Sequence, residues 1–184
     1  QVFSPGSTVP SSGNRMRVAE PEMAFTLSKD LPPRTTPYTV DDALEAVASL
    51  HPALEFPNSR FEIFTESGEA QLLADCACAH QFMLGPAAPE SWRKLDLSKQ
   101  HVHAKVTKRD HSLWTREGTG EAVLGDPRIA LAWIINELTS QSITLKAGQF
   151  FTTGTCMVPL EIEPGDEVLA DFGVLGQISM KFGD

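Results

Sequence analysis

The sequence predicts an α+β domain built on a mixed or antiparallel β-sheet with two main helices. Polar and apolar residues alternate over 101–107, and apolar residues alternate again over 168–172 and 178–182, a pattern typical of strands with one buried face. Asp126 and Pro127 form a typical helix start in front of an apolar segment of helical length. Because strands outnumber helices and do not alternate with them, a βαβ fold is not expected.

Composition and charge argue against several classes of partner. The chain has 184 residues and a formal net charge of -9, with no run of Lys or Arg, so neither nucleic acid nor an anionic membrane surface is expected to bind it. The longest apolar run, 129–135, is much shorter than the roughly 20 residues that span a bilayer. Three cysteines, at positions 76, 78 and 156, indicate reduced thiols and therefore a cytoplasmic protein.

The first residues are predicted to form an arm and then a strand. Residues 1–17 are polar and rich in Pro, Ser and Gly, which predicts an extended N-terminal arm in front of a domain over 18–184. Residues 18–28 combine apolar side chains with alternate glutamates and are predicted to be a strand. Pro21 lies inside this strand and lacks a backbone donor, so we expect an edge position or a β-bulge there.

A helix and two short strands are predicted next. Thr39 is the expected N-cap, because two aspartates follow it in the first turn and apolar residues recur at helical spacing as far as Leu50. Pro52 is expected to end this helix, with a short strand over 53–56 after it. Residues 67–85 have no clean period and are predicted to be a helix or loop that leads into a short strand.

The second half is predicted to be a strand pair, a helix and further strands. The strand over 101–107 is expected to return through a hairpin or loop at 117–125. The helix over 128–141 is apolar around most of its girth, so it should be well buried. A strand is predicted over 147–155, and the two alternating C-terminal segments are expected to pair antiparallel around a turn at 175–176.

Two glutamates, Glu20 and Glu22, stand one residue apart in the first predicted strand. Alternate side chains of a strand point to the same face, so the two carboxylates are expected to lie side by side. Alone, such a pair is most often two hydrated surface carboxylates. A third carboxylate, Glu55, also stands in an apolar strand-like segment, and three carboxylates on one face are typical oxygen ligands for Mg²⁺ or Mn²⁺. Before a cation binds, we expect these groups to repel one another and to have raised pKa values.

The order of several segments carries a resemblance to a known family. The segments that carry it follow one another in this order: RVAEPEMAFTLSKDLP, YTVDDALEAVASLHPALEFPNSRF, LLADCACAHQFMLG, GTGEAVLGDPRIALAWIINEL, LKAGQFFTTGT and IEPGDEVLADFGVLGQISMKF. With them the chain resembles the fumarylacetoacetate hydrolase superfamily over nearly all of residues 15–184, within it the branch of 2-keto-4-pentenoate hydratases and 4-oxalocrotonate decarboxylases. The resemblance implies the mixed, mostly antiparallel β-sheet roll of that family's C-terminal domain, with Glu20, Glu22 and Glu55 as ligands of Mg²⁺ or Mn²⁺.

The resemblance also implies a reaction class. The expected function is that of a divalent-metal-dependent lyase, a hydratase acting on small 2-oxo or 2-hydroxydienoate acids in aromatic meta-cleavage catabolism, as a homo-oligomer. The alternatives are a 4-oxalocrotonate-type decarboxylase, a C–C hydrolase of acylpyruvates or fumarylacetoacetate, and a non-catalytic metal-binding relative. Family hydrolases usually carry Asp at the third ligand position, where this chain has Glu55.

The chain departs from the family pattern in two places. Relatives carry a longer N-terminal segment with a lysine implicated in acid–base chemistry, and the 184 residues here do not contain that segment, so we expect either a piece of a longer protein or a shortened relative. The family's Asp-Asn-Ala-Ser pattern appears as Asp75-Cys76-Ala77-Cys78. Polar contacts made there in relatives are expected to be altered.

Several other residues are weaker site candidates. Asp75 is the catalytic candidate, since it could orient a water molecule, and Arg60 could bind a substrate carboxylate or form a structural ion pair. Thr155 ends a Thr-Gly-Thr turn that could bind a substrate carboxylate or be an ordinary strand-end turn. The Cys-Ala-Cys-Ala-His segment over 76–80 lacks the usual four zinc ligands, so packing is expected there. The histidines of 101–103 are expected on the hydrated face of a strand.

Overall fold

The computed structural model describes residues 1–183, so Asp184, the last residue of the predicted domain 18–184, lies outside the described residues. The three α-helices are α1 (Val40–Glu45), α2 (Glu69–Ala74) and α3 (Pro127–Ser140). The strands are β1 (Val2–Phe3), β2 (Thr8–Val9), β3 (Val18–Leu27), β4 (Val47–Phe56), β5 (Gln81–Leu84), β6 (His101–Thr107), β7 (Leu113–Thr119), β8 (Phe150–Thr155), β9 (Leu160–Glu161), β10 (Glu167–Asp171) and β11 (Gln177–Phe182). No helix within residues 1–183 is both long and apolar enough to cross a membrane.

The strands form two sheets. The first has the order β1-β5-β4-β3-β8, with β9 also paired to β3, and the second has the order β2-β11-β10-β6-β7. Neighbouring strands are antiparallel, except that β1 runs parallel to β5 and β2 parallel to β11. The prediction of an α+β domain on a mixed, mostly antiparallel sheet is therefore confirmed.

One hydrophobic core contains alternate residues of both sheets. On β3, Met23 and Phe25 are fully buried, and on β6 Ala104 and Val106 are fully buried. Because side chains alternate across a strand, each sheet has a second face that does not belong to this core. On β3 that second face carries Glu20. The side chains around Glu20 on this face form the candidate site.

Pro21 lies one residue before a β-bulge, which falls between Glu22 and Ala24. The alternative of an edge strand is wrong, because β3 lies between β4 and β8. The carbonyl of Pro21 accepts a hydrogen bond from Cys156 N at 2.8 Å, so the ring nitrogen also faces β8. The Cys156 carbonyl, to which Pro21 cannot donate, accepts a hydrogen bond from Thr119 N at 3.1 Å instead, so the missing donor leaves no unpaired acceptor.

The predicted first helix is shorter than expected. Thr39 caps α1 through a capping box, as predicted, but the helix ends at Glu45, and residues 47–56 form the ten-residue strand β4. Pairing of this strand with both β3 and β5 outweighs the helical spacing of its apolar residues. Pro52 is tolerated because its carbonyl, and with it the ring nitrogen, faces Gly85, which lies just past the end of β5.

Residues 1–17, predicted to be an extended arm, contribute one short strand to each sheet. The backbone of β1 pairs with β5, and β2 pairs with β11. Val9 is fully buried in the core. The N-terminal segment therefore helps to hold the two sheets together.

The remaining predicted elements are confirmed with small shifts. The return strand of β6 begins at Leu113, earlier than the predicted segment 117–125, whose second half forms a short 3₁₀ turn and a bend. The structure agrees with the strand predicted over 18–28, the helix and short strand within 67–85, the helix over 128–141, the strand within 147–155 and the C-terminal antiparallel pair.

Gly118 on β7 allows this strand to approach the segment that follows β8. A Cβ at Gly118 would lie 2.0 Å from the carbonyl oxygen of Cys156. We expect Gly118→Ala to destabilise the protein by about 1–3 kcal/mol, as overpacked sites do. A lower urea midpoint would show this, with Thr115→Ala, an exposed position of the same strand, as control. Equal midpoints for the two variants would contradict the close approach.

Candidate metal centre

Three carboxylates meet where β3 and β4 pair. Glu20 and Glu55 are direct Cα partners in the antiparallel ladder, and Glu22 follows on the same face of β3. One carboxylate oxygen from each residue lies within 4.8 Å of the other two. The structure therefore brings together the three glutamates that the sequence selected.

The pKa of each of the three carboxyl groups is raised, by burial in all three and by repulsion also in Glu22 and Glu55. Burial first, and the charge of Glu55 next, raise the pKa of Glu22 to about 8. Burial, followed by the charge of Glu20, raises the pKa of Glu55 to about 7, and burial raises the pKa of Glu20. The expected direction is confirmed, but loss of hydration is a larger cause than repulsion.

Glu22 is the most tightly held of the three. Its side chain is 1% exposed, and its Oε2 accepts hydrogen bonds from the Thr152 hydroxyl and, at 3.3 Å, from the Gly154 backbone N–H. Both donors belong to β8 and favour the charged carboxylate. Thr152 was not selected from the sequence. It lies two residues after Phe150 in β8, so the alternation of side chains along a strand could have placed both on one face.

The donor set fits a hard divalent cation. All three groups are carboxylates, which suit Mg²⁺, Ca²⁺ and Mn²⁺ better than metals that prefer nitrogen or sulfur. Glu20, Glu22 and Glu55 would hold such a cation through one carboxylate oxygen each. Within residues 1–183, this is the one cluster of three or more potential metal-ligating side chains.

Asp75 and Arg60 lie together, but they contact each other rather than the carboxylate cluster. Asp75 is 6% exposed and accepts hydrogen bonds from the Arg60 backbone N–H at 2.8 Å, the Arg60 Nε–H and the Ser59 hydroxyl at 3.0 Å. The Arg60 backbone N–H, then its guanidinium, hold the pKa of Asp75 below its usual range. This geometry favours the structural ion pair among the interpretations of Arg60.

Asp75→Asn is expected to lower the urea midpoint of unfolding while leaving Mn²⁺ affinity within about threefold of the wild type. The amide cannot accept from the Arg60 backbone, the guanidinium and Ser59 together, so a buried donor loses its partner. Calorimetry and urea unfolding measure the two quantities, with the exposed Asp110→Asn as control. A large loss of Mn²⁺ affinity would instead connect Asp75 directly to the metal centre.

Thr155 lies beside the cluster but uses its hydroxyl locally. It is the Cα partner of Glu22 across the β3–β8 pair. The hydroxyl donates to the Met157 carbonyl at 2.9 Å, as in a strand-end turn. Binding of a substrate carboxylate by Thr155 would require this bond to open.

The cysteine and histidine segments form no metal-ligating group within residues 1–183. Cys76, Ala77 and Cys78 are consecutive residues in the left-handed backbone region, with φ of 54°, 51° and 65°. This tight turn leaves Cys76 exposed and Cys78 buried. His101 and His103 lie on the exposed face of β6, as expected.

Comparisons with known proteins agree on one family. The model of the fumarylacetoacetate (FAA) hydrolase C-terminal family matches residues 2–182. A 2-oxo-hept-4-ene-1,7-dioate hydratase of Escherichia coli is 29% identical over 98% of this chain and 67% of its own length. A 4-oxalocrotonate decarboxylase of a Pseudomonas species is 30% identical over 88% of this chain and 59% of its own length.

A third curated relative and a solved structure extend the likeness. A 2-keto-4-pentenoate hydratase of Burkholderia vietnamiensis is 26% identical over 98% of this chain and 66% of its own length. The 4-oxalocrotonate decarboxylase from Pseudomonas putida G7, complexed with magnesium and adipate, superposes with a TM-score of 0.82 at 24% identity, over 98% of this chain and 66% of that one. The chain thus spans about 59–67% of the length of these curated relatives.

Proposed function

This chain belongs to the fumarylacetoacetate hydrolase family, and from that premise we propose that it is a divalent-metal-dependent lyase of small 2-oxo or 2-hydroxydienoate acids. Its reaction is hydration of the 2-keto-4-pentenoate type, in the catabolism of aromatic compounds by meta cleavage. The observation that carries the proposal is the cluster of Glu20, Glu22 and Glu55, whose oxygens lie within 4.8 Å of one another. The hydratases among the curated relatives support this reaction.

The residues of this chain supply position and charge for that chemistry. When bound, Mg²⁺ or Mn²⁺ would polarise the C2 carbonyl of a 2-oxo acid and stabilise the negative charge that develops on its oxygen. Thr152 and Gly154 both donate to Oε2 of Glu22, which leaves Oε1 for ligation. Glu20 and Glu55 are only half-buried, so the open side of the cluster can admit a substrate.

We also propose roles for Asp75 and Thr155, a cellular location and an oligomeric state. We assign Asp75 a positioning role, because its hydrogen bonds hold the turn around Ser59 and Arg60 after β4. Thr155 remains a candidate for the substrate carboxylate because it neighbours Glu22. The three free cysteines suit the cytoplasm, and a homo-oligomer is inferred from the family.

A 4-oxalocrotonate-type decarboxylase is the second candidate. Its support is the 30% identity to a curated decarboxylase and the TM-score of 0.82 to a solved one. When the distal carboxylate of 4-oxalocrotonate leaves as CO₂, the electron pair of the broken bond passes through the conjugated double bond to the C2 oxygen, where hydration also develops negative charge. One carboxylate cluster can therefore serve either reaction.

The test is turnover by metal-free protein with each added cation. We expect 2-hydroxypenta-2,4-dienoate to be hydrated only with Mg²⁺ or Mn²⁺ present, with acylpyruvate cleavage absent. Decarboxylation of 4-oxalocrotonate without hydration would select the second candidate. Metal binding without turnover of any of these substrates would establish the non-catalytic alternative.

A further inference from the structure

Two phenylalanines project from the face of the first sheet that carries the three glutamates. Phe82 in β5 is the Cα partner of Glu55 in β4. Phe150 in β8 is the Cα partner of Thr26, which stands on the same face of β3 as Glu20 because their positions in the strand differ by an even number. Opposed residues of an antiparallel pair share a face, so both rings lie on the glutamate side.

The two rings meet above the middle of the sheet. Their centroids lie 5.3 Å apart, with an angle of 18° between the planes. The register places Ala53 of β4 and Ala24 of β3 on the diagonal between them, and both alanines are 0% exposed. Small side chains at these two positions leave room for the rings. We call the stacked pair, Phe82 and Phe150, the aromatic bridge.

The aromatic bridge borders the carboxylate cluster. Phe82 directly opposes Glu55, and Ala53 on the diagonal directly opposes Glu22. Directly opposed side chains have Cβ atoms about 4.5–5.5 Å apart, so a molecule held by the carboxylates lies within reach of the phenyl ring. Both rings are only half-buried, and part of their surface remains accessible.

The same face lacks a cation for a second substrate carboxylate. Among the described strands of the first sheet, this face carries no Lys or Arg; its residues are Val2, Val18, Glu20, Glu22, Ala24, Thr26, Ser49, His51, Ala53, Glu55, Phe82, Leu84, Phe150, Thr152, Thr155 and Glu161. On the loops that precede β3 and follow β4, Arg17 and Arg60 are paired with Glu163 and Asp75, and Arg15 donates a hydrogen bond to the Arg60 carbonyl at 3.4 Å. On the sheet itself, a substrate tail beside the cluster therefore meets aromatic surface rather than positive charge.

We propose that the aromatic bridge selects monocarboxylic 2-oxo or 2-hydroxydienoate acids with an uncharged hydrocarbon tail over the corresponding dioates. The inference rests on the proposed function for the 2-oxo acid end of the substrate. It adds the chemical class of the opposite end, the tail. The names of the curated relatives include both kinds of substrate, a dioate and a pentenoate. Phe82 and Phe150 are specificity-determining residues in this proposal.

A pair of matched ligands tests the tail without requiring turnover. 2-Oxohexanoate and 2-oxoadipate have the same number of carbon atoms and differ in a terminal methyl or carboxylate group. Titration calorimetry on the full-length protein saturated with Mn²⁺ should give at least about tenfold tighter binding of 2-oxohexanoate, the discrimination that an apolar pocket provides. Phe82→Ala and Phe150→Ala should each reduce this ratio to below about threefold.

Controls separate specificity from folding. If Phe82→Ala does not fold, Phe82→Leu takes its place. Because leucine is also apolar, that variant should retain most of the preference for 2-oxohexanoate over 2-oxoadipate. Leu113→Ala removes an exposed apolar side chain of β7, in the other sheet, and should leave the ratio unchanged. Mn²⁺ affinity of each variant, measured without organic ligand, should equal that of the wild type.

Binding and turnover together distinguish failure of the tail assignment from failure of the proposed function. Equal or tighter binding of 2-oxoadipate by the wild type overturns the proposal, and so does an unchanged ratio in folded Phe82→Ala with normal Mn²⁺ affinity. If the protein prefers 2-oxohexanoate but turns over no dienoate, the aromatic bridge stands and the proposed lyase function fails. If it turns over dioates and monoacids with equal kcat/KM and binds them equally, the function stands and the tail assignment fails.

Discussion

Glu22→Gln is expected to lower the Mn²⁺ affinity at least about 100-fold, more than the loss of an outer-shell partner of a metal site, and to abolish metal-dependent turnover. The amide keeps the size of the side chain and can accept from Thr152, but it removes one of the three carboxylates that we propose as metal ligands. The metal-free variant should be at least as stable as the wild type, because a neutral group replaces a buried carboxyl beside Glu20 and Glu55. Opposite effects on metal binding and stability distinguish a ligand from a structural residue.

Titration with Mn²⁺ and urea unfolding in EDTA measure the two effects of Glu22→Gln. Glu167→Gln is the matched control, since Glu167 is an exposed carboxylate on β10 in the other sheet. That variant should bind Mn²⁺ as the wild type does. Retention of both Mn²⁺ affinity and turnover by Glu22→Gln would refute the three-carboxylate centre.

The metal-free protein is expected to lose stability as the pH rises from about 4.5 to about 8. The folded-state pKa of Glu22 is about 8 and that of Glu55 about 7, against an ordinary value of 4.5, so the folded protein binds more protons than the unfolded chain in this window. The stabilisation is fully present below pH 4.5 and is lost as the pH passes through the folded-state values. A tenfold change in an acid constant corresponds to about 1.4 kcal/mol, so the total loss is on the order of several kcal/mol.

Urea unfolding in EDTA at pH 5, 6, 7 and 8 measures this loss. Mg²⁺ should restore stability most strongly at pH 8, where its ligands must otherwise carry unpaired charge. Glu22→Gln in EDTA should show a shallower pH dependence than the wild type. A flat profile for the metal-free wild type would mean that the carboxylates are well hydrated in solution.

The sequence predicted the fold where periodicity and pairing agree. β6, β10 and β11 alternate cleanly because one face of their sheet is buried and the other hydrated. The helical spacing of the apolar residues before Pro52 led to a wrong prediction, because residues 47–56 form a ten-residue strand that pairs on both sides. Local patterns contain no information about such distant partners, and therefore neither the length of α1 nor the internal position of β3 could be predicted.

The carboxylate cluster was more predictable than its surroundings. Glu20 and Glu22 are neighbours on one strand, so their common face follows from local geometry. The approach of Thr152 and Phe150 depends on the register between β3 and β8, which includes a bulge. For Asp75 the reverse holds. Its carboxylate is a site candidate from the sequence alone, but its hydrogen-bond partners Ser59 and Arg60 lie in a loop whose conformation the sequence pattern does not predict.

The two parallel pairings near the N-terminus have a consequence for synthesis of the protein. The backbone of Thr8 pairs with Lys181 and that of Val9 with Phe182, so β2 leaves the ribosome long before its partner β11. Contacts between residues so distant in sequence slow folding, because a long loop must close before they form. During translation β2 therefore has no partner until β11 emerges, and unpaired strand edges of this kind favour aggregation.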